Sequence, residues 1–308
     1  MKNEIKRRKV PEGSCQHVYK RTVDGGVLFY RVVDHLVYYT IESIMARRHN
    51  MSVLVTCHMF THTHDLIAAA DPSQLSAFEH DINSIFTREY NTETCREGRL
   101  FERPFGSAPK RTDKDKRSAA IYILNNPVEK HLVRRAIEDR WTFLAYYDDA
   151  FPFSSKPMLS QCRWALRNAM KEVDMEHRCG RYLGYAILHR LFDGLSEDER
   201  WQLTDYIIHR YFYLDVNECS KLFGSVERMV RTADETKGKE FDIGEEFDPS
   251  SDVPFREMCG LAGRAGLLKA GSSLWQLSGV RLEDFSRNMQ RRTGATDLQV
   301  NKFLHRII

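Results

Sequence analysis

Two histidines separated by a single residue, His62 and His64, are the first candidates for chemistry in this sequence. Residues 53–58 before them are largely apolar and rich in β-branched side chains, which predicts a buried strand, and residues 62–69 predict a second strand. Because side chains alternate between the faces of a strand, both imidazoles point to the same face. Such a pair can bind a divalent metal ion, although the same spacing also suits two partly exposed histidines.

A tyrosine and an asparagine four residues apart, Tyr122 and Asn126, form a second candidate pair. Residues 118–125 predict a helix that Pro127 ends or kinks, so the two side chains share a face if the helix reaches Asn126. The residue before a proline disfavours the α conformation, and the position of Asn126 therefore stays open. The alternative is a core tyrosine beside a helix-ending Asn-Pro step.

Length and composition limit the class of protein. The 308 residues suffice for about two domains, and the net charge of +3 does not by itself predict a polyanionic partner. Seven scattered cysteines without a C-x-x-C motif are typical of reduced thiols. Residues 1–10 lack the apolar segment of a secretion signal, and no apolar run of about 20 residues predicts a membrane span. We therefore expect a cytoplasmic protein that does not enter membranes.

The elements around the candidate residues predict an α+β fold for the first half of the chain. Asp24-Gly25-Gly26 predicts a hairpin turn between residues 15–23 and 27–32, and Asp34 is the expected N-cap of a helix over residues 35–49. Further along the chain, a helix at 74–91 and a short edge strand at 98–105 follow the two central strands. This order is βαββαβ-like: an antiparallel sheet flanked by helices.

The second half of the chain predicts helices alone. We expect them at residues 159–173, 179–192, 196–213 and 216–231. An acidic linker is expected at 234–253, and residues 274–292 have the pattern of a helix-turn-helix or of a plain helical bundle. The predicted domains are a catalytic domain at 1–150, a helical domain at 151–233, the linker, and a small helical module at 254–308.

The histidine pair followed about 60 residues later by Tyr-Ile-x-x-Asn-Pro-Val resembles the single-tyrosine HUH transposases, in particular the REP-associated tyrosine transposases. Other landmarks resemble the family in the same order: Val18-Tyr19-Lys20-Arg21, then the run at residues 86–91, then Gly98-Arg99-Leu100-Phe101. The resemblance covers about residues 14–150. It implies an enzyme that nicks and rejoins hairpin-bearing single-stranded DNA through a 5′-phosphotyrosine.

The resemblance also implies roles for single residues. Tyr122 would be the nucleophile, and His62, His64 and Asn126 would hold a divalent metal ion, Mg²⁺ or Mn²⁺. The chain would act as a monomer or a homodimer. Contacts to DNA phosphates are expected from a basic loop at 106–117 and from arginines before it: Arg21, Arg99, Arg103, Lys110, Arg111, Lys114, Lys116 and Arg117.

Two positions depart from the family pattern. Thr63 stands where a bulky apolar residue is usual, and Met59-Phe60-Thr61 replaces the usual Met-Pro-Asn. Neither change removes a ligand. They leave open a domesticated, catalytically weak or inactive DNA-binding protein derived from such a transposase, and beside it an unrelated α+β protein with surface histidines.

Overall fold

A four-stranded antiparallel sheet lies at the centre of the molecule. The computed structural model describes residues 10–158, 160–237, 250–268, 274 and 277–306. Its strands run in the spatial order β2-β3-β1-β4, and every neighbouring pair is antiparallel. The strands are β1 (Cys15–Arg21), β2 (Ser52–His58), β3 (His62–Ala68) and β4 (Gly106–Lys110).

Helices cover both faces of this sheet. The helices between and after the strands are α1 (Val32–Arg48), α2 (Pro72–Thr94) and α3 (Asp113–Glu129). Val18 and Ile67 of the sheet share an apolar core with α1 and α2, whereas Leu66 packs with α3 in a second core. The order of elements is βαββαβ followed by α3, which confirms the predicted α+β class.

The remaining helices confirm that the C-terminal region is helical. They are α4 (Trp164–Arg178), α5 (Tyr185–Phe192), α6 (Glu197–Arg210), α7 (Val216–Phe223), α8 (Val226–Glu235), α9 (Val253–Arg264), α10 (Gly279–Thr293) and α11 (Asp297–Phe303). Several contact the first half directly: the Tyr39 hydroxyl donates to the Ile208 carbonyl in α6, and the Asn125 amide donates to the Ala233 carbonyl in α8. In the described parts of the chain, no helix is both long and apolar enough to cross a membrane.

Some predicted segments lie outside the described residues. These are most of the acidic linker (238–249) and residues 275–276 of the helix-turn-helix pattern. The boundaries of the four predicted domains stay predictions.

The predicted hairpin after β1 is wrong. The chain passes through a 3-10 turn at Val23–Gly25 and then runs to the start of α1 without pairing back onto β1. The amides of Leu28 and Phe29 donate instead to the Phe60 carbonyl in the connection between β2 and β3, at 2.6 and 3.3 Å. These hydrogen bonds draw the segment toward the end of the sheet at which β3 begins, and this long-range pairing has no local sequence signal.

Other boundaries also differ from prediction. In the second half, α4 and α5 begin at Trp164 and Tyr185, later than expected, and the helix expected at 216–231 is divided into α7 and α8. Helix α1 begins at Val32 because the Asp34 carboxylate accepts hydrogen bonds from the amides of Tyr30 and Arg31, as the third helical residue and not as the N-cap. The segment at 98–105 makes only a bridge between Phe101 and Thr22, and the fourth strand follows it at Gly106–Lys110. Helix α3 begins earlier than expected, at the Thr112 cap, and continues past Pro127.

A buried lysine joins the sheet to α2. Lys20 lies 2.8 Å from the Glu79 carboxylate and 3.7 Å from that of Asp65, and all three side chains are fully buried. Burial alone lowers the pKa of Lys20, but the combined effect of its neighbours, Glu79 first and then Tyr38, Asp65 and Glu42, outweighs burial and holds that pKa well above its usual value. Burial and the neighbouring Glu42 raise the pKa of Asp65 to about 7. These charges are therefore stable inside the protein only as a group.

Removing the lysine should destabilise the fold strongly. Lys20→Met leaves the carboxylates of Asp65 and Glu79 buried without their cation, a change that typically costs about 3–5 kcal/mol. Urea unfolding at neutral pH measures it. Lys221→Met is the matched control, because Lys221 pairs with Glu218 on the surface and should change stability little. Equal stabilities of the two variants would contradict the buried network.

A stacked histidine makes stability depend on pH. The buried His35 ring lies 3.8 Å from the Trp141 ring and 4.3 Å from the Phe29 ring, nearly parallel to both. Burial, followed by the neighbouring His58, lowers the pKa of His35 well below its usual value. The folded state therefore keeps this imidazole neutral where the unfolded chain takes up a proton.

His35→Phe should weaken the pH dependence of folding. The neutral histidine contributes its full stability above its unfolded pKa of about 6.5, and this contribution is lost as the pH falls below that value. The variant should therefore lose less stability on acidification, by up to about 1.4 kcal/mol per pH unit. Urea unfolding of both proteins at several pH values tests this. Parallel curves would show that His35 is protonated in the folded state.

Candidate functional site

The two predicted histidines lie where β3 begins, on the face of the sheet that α3 covers. His62 pairs with Arg21 across β1, and His64 lies opposite Tyr19 on one side and Cys57 on the other. The two imidazole rings are 4.8 Å apart and nearly perpendicular. His64 is buried, whereas His62 is partly exposed.

Tyr122 approaches the histidines from α3. The Thr112 hydroxyl and the Asp115 carboxylate form a capping box that starts this helix, and buried Ala119 and Ala120 belong to the core that it shares with the sheet. The Tyr122 ring is 5.7 Å from the His64 ring, in an edge-to-face arrangement, and is partly exposed. The structure thus brings a phenol to the predicted histidine pair.

Asn126 lies one helical turn beyond Tyr122. Because α3 continues through Pro127 to Glu129, the two residues share a helix face, which decides the position of Asn126 that the sequence left open. Asn126 is buried, and its amide nitrogen donates a 2.9 Å hydrogen bond to the Tyr122 carbonyl. This bond fixes the side-chain amide on the turn that carries the tyrosine.

Sequence reasoning missed a third histidine at the site. His17 on β1 is fully buried, and its Nε2 lies 3.1 Å from Nδ1 of His64. Its ring stacks on His64 at 5.2 Å and meets the Tyr122 ring edge-on at 5.8 Å. The signal in the sequence is only that His17 and Tyr19 share one face of β1; the register against β3, which tertiary pairing sets, brings His17 to His64.

The electrostatic setting keeps both predicted ligands neutral. Burial, followed by Arg21, lowers the pKa of His64 to about 3. Burial also lowers the pKa of His62, with further contributions from His64 and from Arg21, Lys130 and Lys302. Neutral imidazole is the form that binds a metal ion. The nearby cations come from three distant parts of the chain, and sequence reasoning identified Arg21 but not the two lysines.

The hydrogen bonding of His64 suits a metal ligand. Nε2 of His64 is buried and has no hydrogen-bond partner in the described part of the protein, so a lone pair there is available to a cation. The described residues contain no group of three His, Cys, Asp or Glu arranged to hold a metal ion. A site at this position would therefore need the Asn126 amide oxygen beside His62 and His64, and this set leaves coordination positions free for a substrate.

The predicted phosphate contacts divide into two groups. Arg21 lies opposite His62, whereas Lys110 on β4 lies opposite Cys15, at the other end of β1. Cys15 and Arg21 are six residue steps apart along β1, which is about 20 Å. Most side chains of the second group are exposed and surround the start of α3; they are Lys110, Arg111, Lys114, Lys116 and Arg117. The exposed Arg99 and Arg103 flank the segment that bridges to Thr22, near Arg21.

Comparisons with known proteins add one distant likeness. No protein-family model and no curated protein matches the chain. Among solved structures it is similar to one described as the REP-associated tyrosine transposase bound to a REP hairpin. The TM-score is 0.37 with 17% sequence identity, over 44% of this chain and 79% of that chain.

Proposed function

We propose that this protein is a metal-dependent transposase-type enzyme that cuts and rejoins hairpin-bearing single-stranded DNA. The observation that carries the proposal is the placement of the Tyr122 ring 5.7 Å from the His64 ring. Asn126 follows on the next turn of the same helix, and His62 precedes His64 on the same strand face. A phenol nucleophile beside a set of neutral donors suits phosphoryl transfer better than it suits a purely structural role.

His62, His64 and Asn126 would hold a divalent cation, Mg²⁺ or Mn²⁺. When bound, the cation supplies Lewis-acid polarisation of the scissile phosphate. The protein's own contribution is orientation: β3 fixes the two imidazoles, and the hydrogen bond from Asn126 to the Tyr122 carbonyl fixes the amide. The strand would therefore hold both imidazoles in place, and α3 would hold the amide.

Tyr122 would attack the phosphorus through its phenolic oxygen. The new bond joins that oxygen to phosphorus, the bond from phosphorus to the 3′ oxygen breaks, and the departing 3′ oxygen takes up a proton. The product is a 5′-phosphotyrosine, and because phenolate is a good leaving group, a 3′-hydroxyl can reverse the step and join strands. An unperturbed tyrosine phenol has a pKa of about 10, so a base must accept the proton of the attacking hydroxyl.

Binding of DNA would be largely electrostatic. Arg21, Lys130 and Lys302 are close enough to lower the pKa of His62, and these cations suit the phosphates next to the cut. The exposed group around the start of α3 lies about 20 Å away along β1, a distance that suits contact with another part of a folded strand. A hairpin joined to a single-stranded flank would reach both groups.

Tyr122→Phe should abolish covalent attachment to DNA. The variant keeps the ring that packs on His64 but loses the attacking oxygen, so DNA binding should change little. The measurement incubates the protein with a hairpin oligonucleotide carrying a single-stranded flank and Mn²⁺, and detects the adduct on a denaturing gel. Tyr147→Phe is the control, because its hydroxyl faces Glu227 and not the histidines.

This experiment distinguishes an active enzyme that uses Tyr122 from the alternatives. Adduct formation by Tyr122→Phe would place the nucleophile elsewhere. DNA binding by the wild-type protein without any adduct would instead identify a DNA-binding protein that has lost cleavage.

His64→Ala should remove the metal site. Loss of one imidazole from a three-ligand set should weaken Mn²⁺ binding at least about tenfold, as measured by electron paramagnetic resonance without DNA. His80→Ala is the matched control, since His80 is exposed on α2, on the other face of the sheet. Unchanged Mn²⁺ affinity in His64→Ala would refute the ligand assignment, whatever its effect on cleavage.

A further inference from the structure

A histidine outside the predicted ligand set connects the two chemical groups of the site. His17 is fully buried and contacts both His64, through a 3.1 Å approach between ring nitrogens, and Tyr122, through an edge-on ring contact at 5.8 Å. His17 belongs to β1, whereas His64 belongs to β3 and Tyr122 to α3. It is therefore the point at which three elements of the site meet.

The contact between the two imidazoles restricts where their protons lie. A hydrogen bond between neutral imidazoles needs one N–H donor and one lone-pair acceptor. If Nδ1 of His64 accepted, its proton would lie on Nε2, and a protonated Nε2 has no lone pair with which to bind a cation. If Nδ1 donates to Nε2 of His17, the His64 Nε2 carries a lone pair, which a cation can use.

We propose that His17 is a positioning residue: it accepts a hydrogen bond from Nδ1 of His64 and so holds the Nε2 lone pair of His64 ready for the metal ion. The part of this inference that concerns metal binding rests on the function proposed above. Metal-binding histidines are commonly oriented through their second nitrogen in this way, and the usual partner is a carboxylate or a carbonyl. Here a second imidazole takes that place.

The geometry also argues against His17 as a further metal ligand. Its Nε2 is directed at Nδ1 of His64, the nitrogen on the opposite side of that ring from the proposed ligand atom. The two rings have centroids 5.2 Å apart and planes inclined by 28°, so they face each other through these nitrogens instead of converging on one cation. The His17 ring also contacts the Tyr122 ring, so removing the His17 ring should disturb Tyr122 as well as His64.

The tautomer of His64 can be measured on the unmodified protein. Long-range nitrogen–proton NMR correlations distinguish an imidazole protonated at Nδ1 from one protonated at Nε2. We expect His64 in the metal-free wild-type protein to be protonated at Nδ1 and His17 to accept at Nε2. A His64 ring protonated at Nε2 would overturn the proposal. Because this measurement needs no substitution, misfolding of a variant does not remove the test.

Two substitutions test the consequence for metal binding. His17→Phe keeps an aromatic ring between β1 and α3 but removes the acceptor, and it should weaken Mn²⁺ binding about 10- to 100-fold. His17→Gln places an amide oxygen within reach of Nδ1 of His64 and should restore most of the affinity. Circular dichroism shows that each variant is folded, and electron paramagnetic resonance without DNA measures the affinity.

The matched control is His35→Phe, the same replacement of a buried, stacked histidine on the opposite side of the sheet. It should leave Mn²⁺ affinity unchanged. Unchanged affinity in folded His17→Phe, or equal losses in the Phe and Gln variants, would refute a role for the acceptor. If the wild-type protein binds no Mn²⁺, the proposed function fails instead, and the NMR result still decides the hydrogen bond.

Discussion

The alternation of side chains along β3 is the constraint on which this structure depends. His62 and His64 face α3, while Asp65 faces α2 and meets the buried ammonium of Lys20. A shift of the register by one residue would turn the imidazoles toward Lys20 and Glu79 and would turn the Asp65 carboxylate toward α3. Because Lys20 also binds Glu79 at 2.8 Å, such a shift would separate buried charges. The ion pairs therefore fix the face on which the site forms.

On the face of the sheet that carries the histidines, the position of Asn126 depends on the continuation of α3 through Pro127. Pro127 lacks an amide hydrogen, yet the helix continues to Glu129 and keeps Asn126 one turn from Tyr122. Asn125 supports this last turn by donating to the Ala233 carbonyl in α8. A helix of the second half of the chain thus holds the turn that carries the proposed third ligand, and the site does not belong to the first half alone.

The C-terminal helices also add to the charge around the histidines. The Val27 amide donates to the Lys302 carbonyl at 3.0 Å, and the Tyr30 hydroxyl donates to the Phe303 carbonyl at 2.6 Å. These bonds hold α11 against the segment between β1 and α1, close enough for Lys302 to act on His62. The cations near His62 consequently come from both halves of the chain: Arg21 and Lys130 from the first, and Lys302 from the last helix.

The sequence by itself determined the α+β class, the two central strands, and the pairing of His62 with His64 on one face, because these follow from local periodicity. It could not place Asn126, whose conformation beside Pro127 depends on contacts from α8, and it did not reveal His17. Only the tertiary structure decided that His17 meets His64 and Tyr122, because strand register and helix packing bring together residues that no spacing along the chain relates.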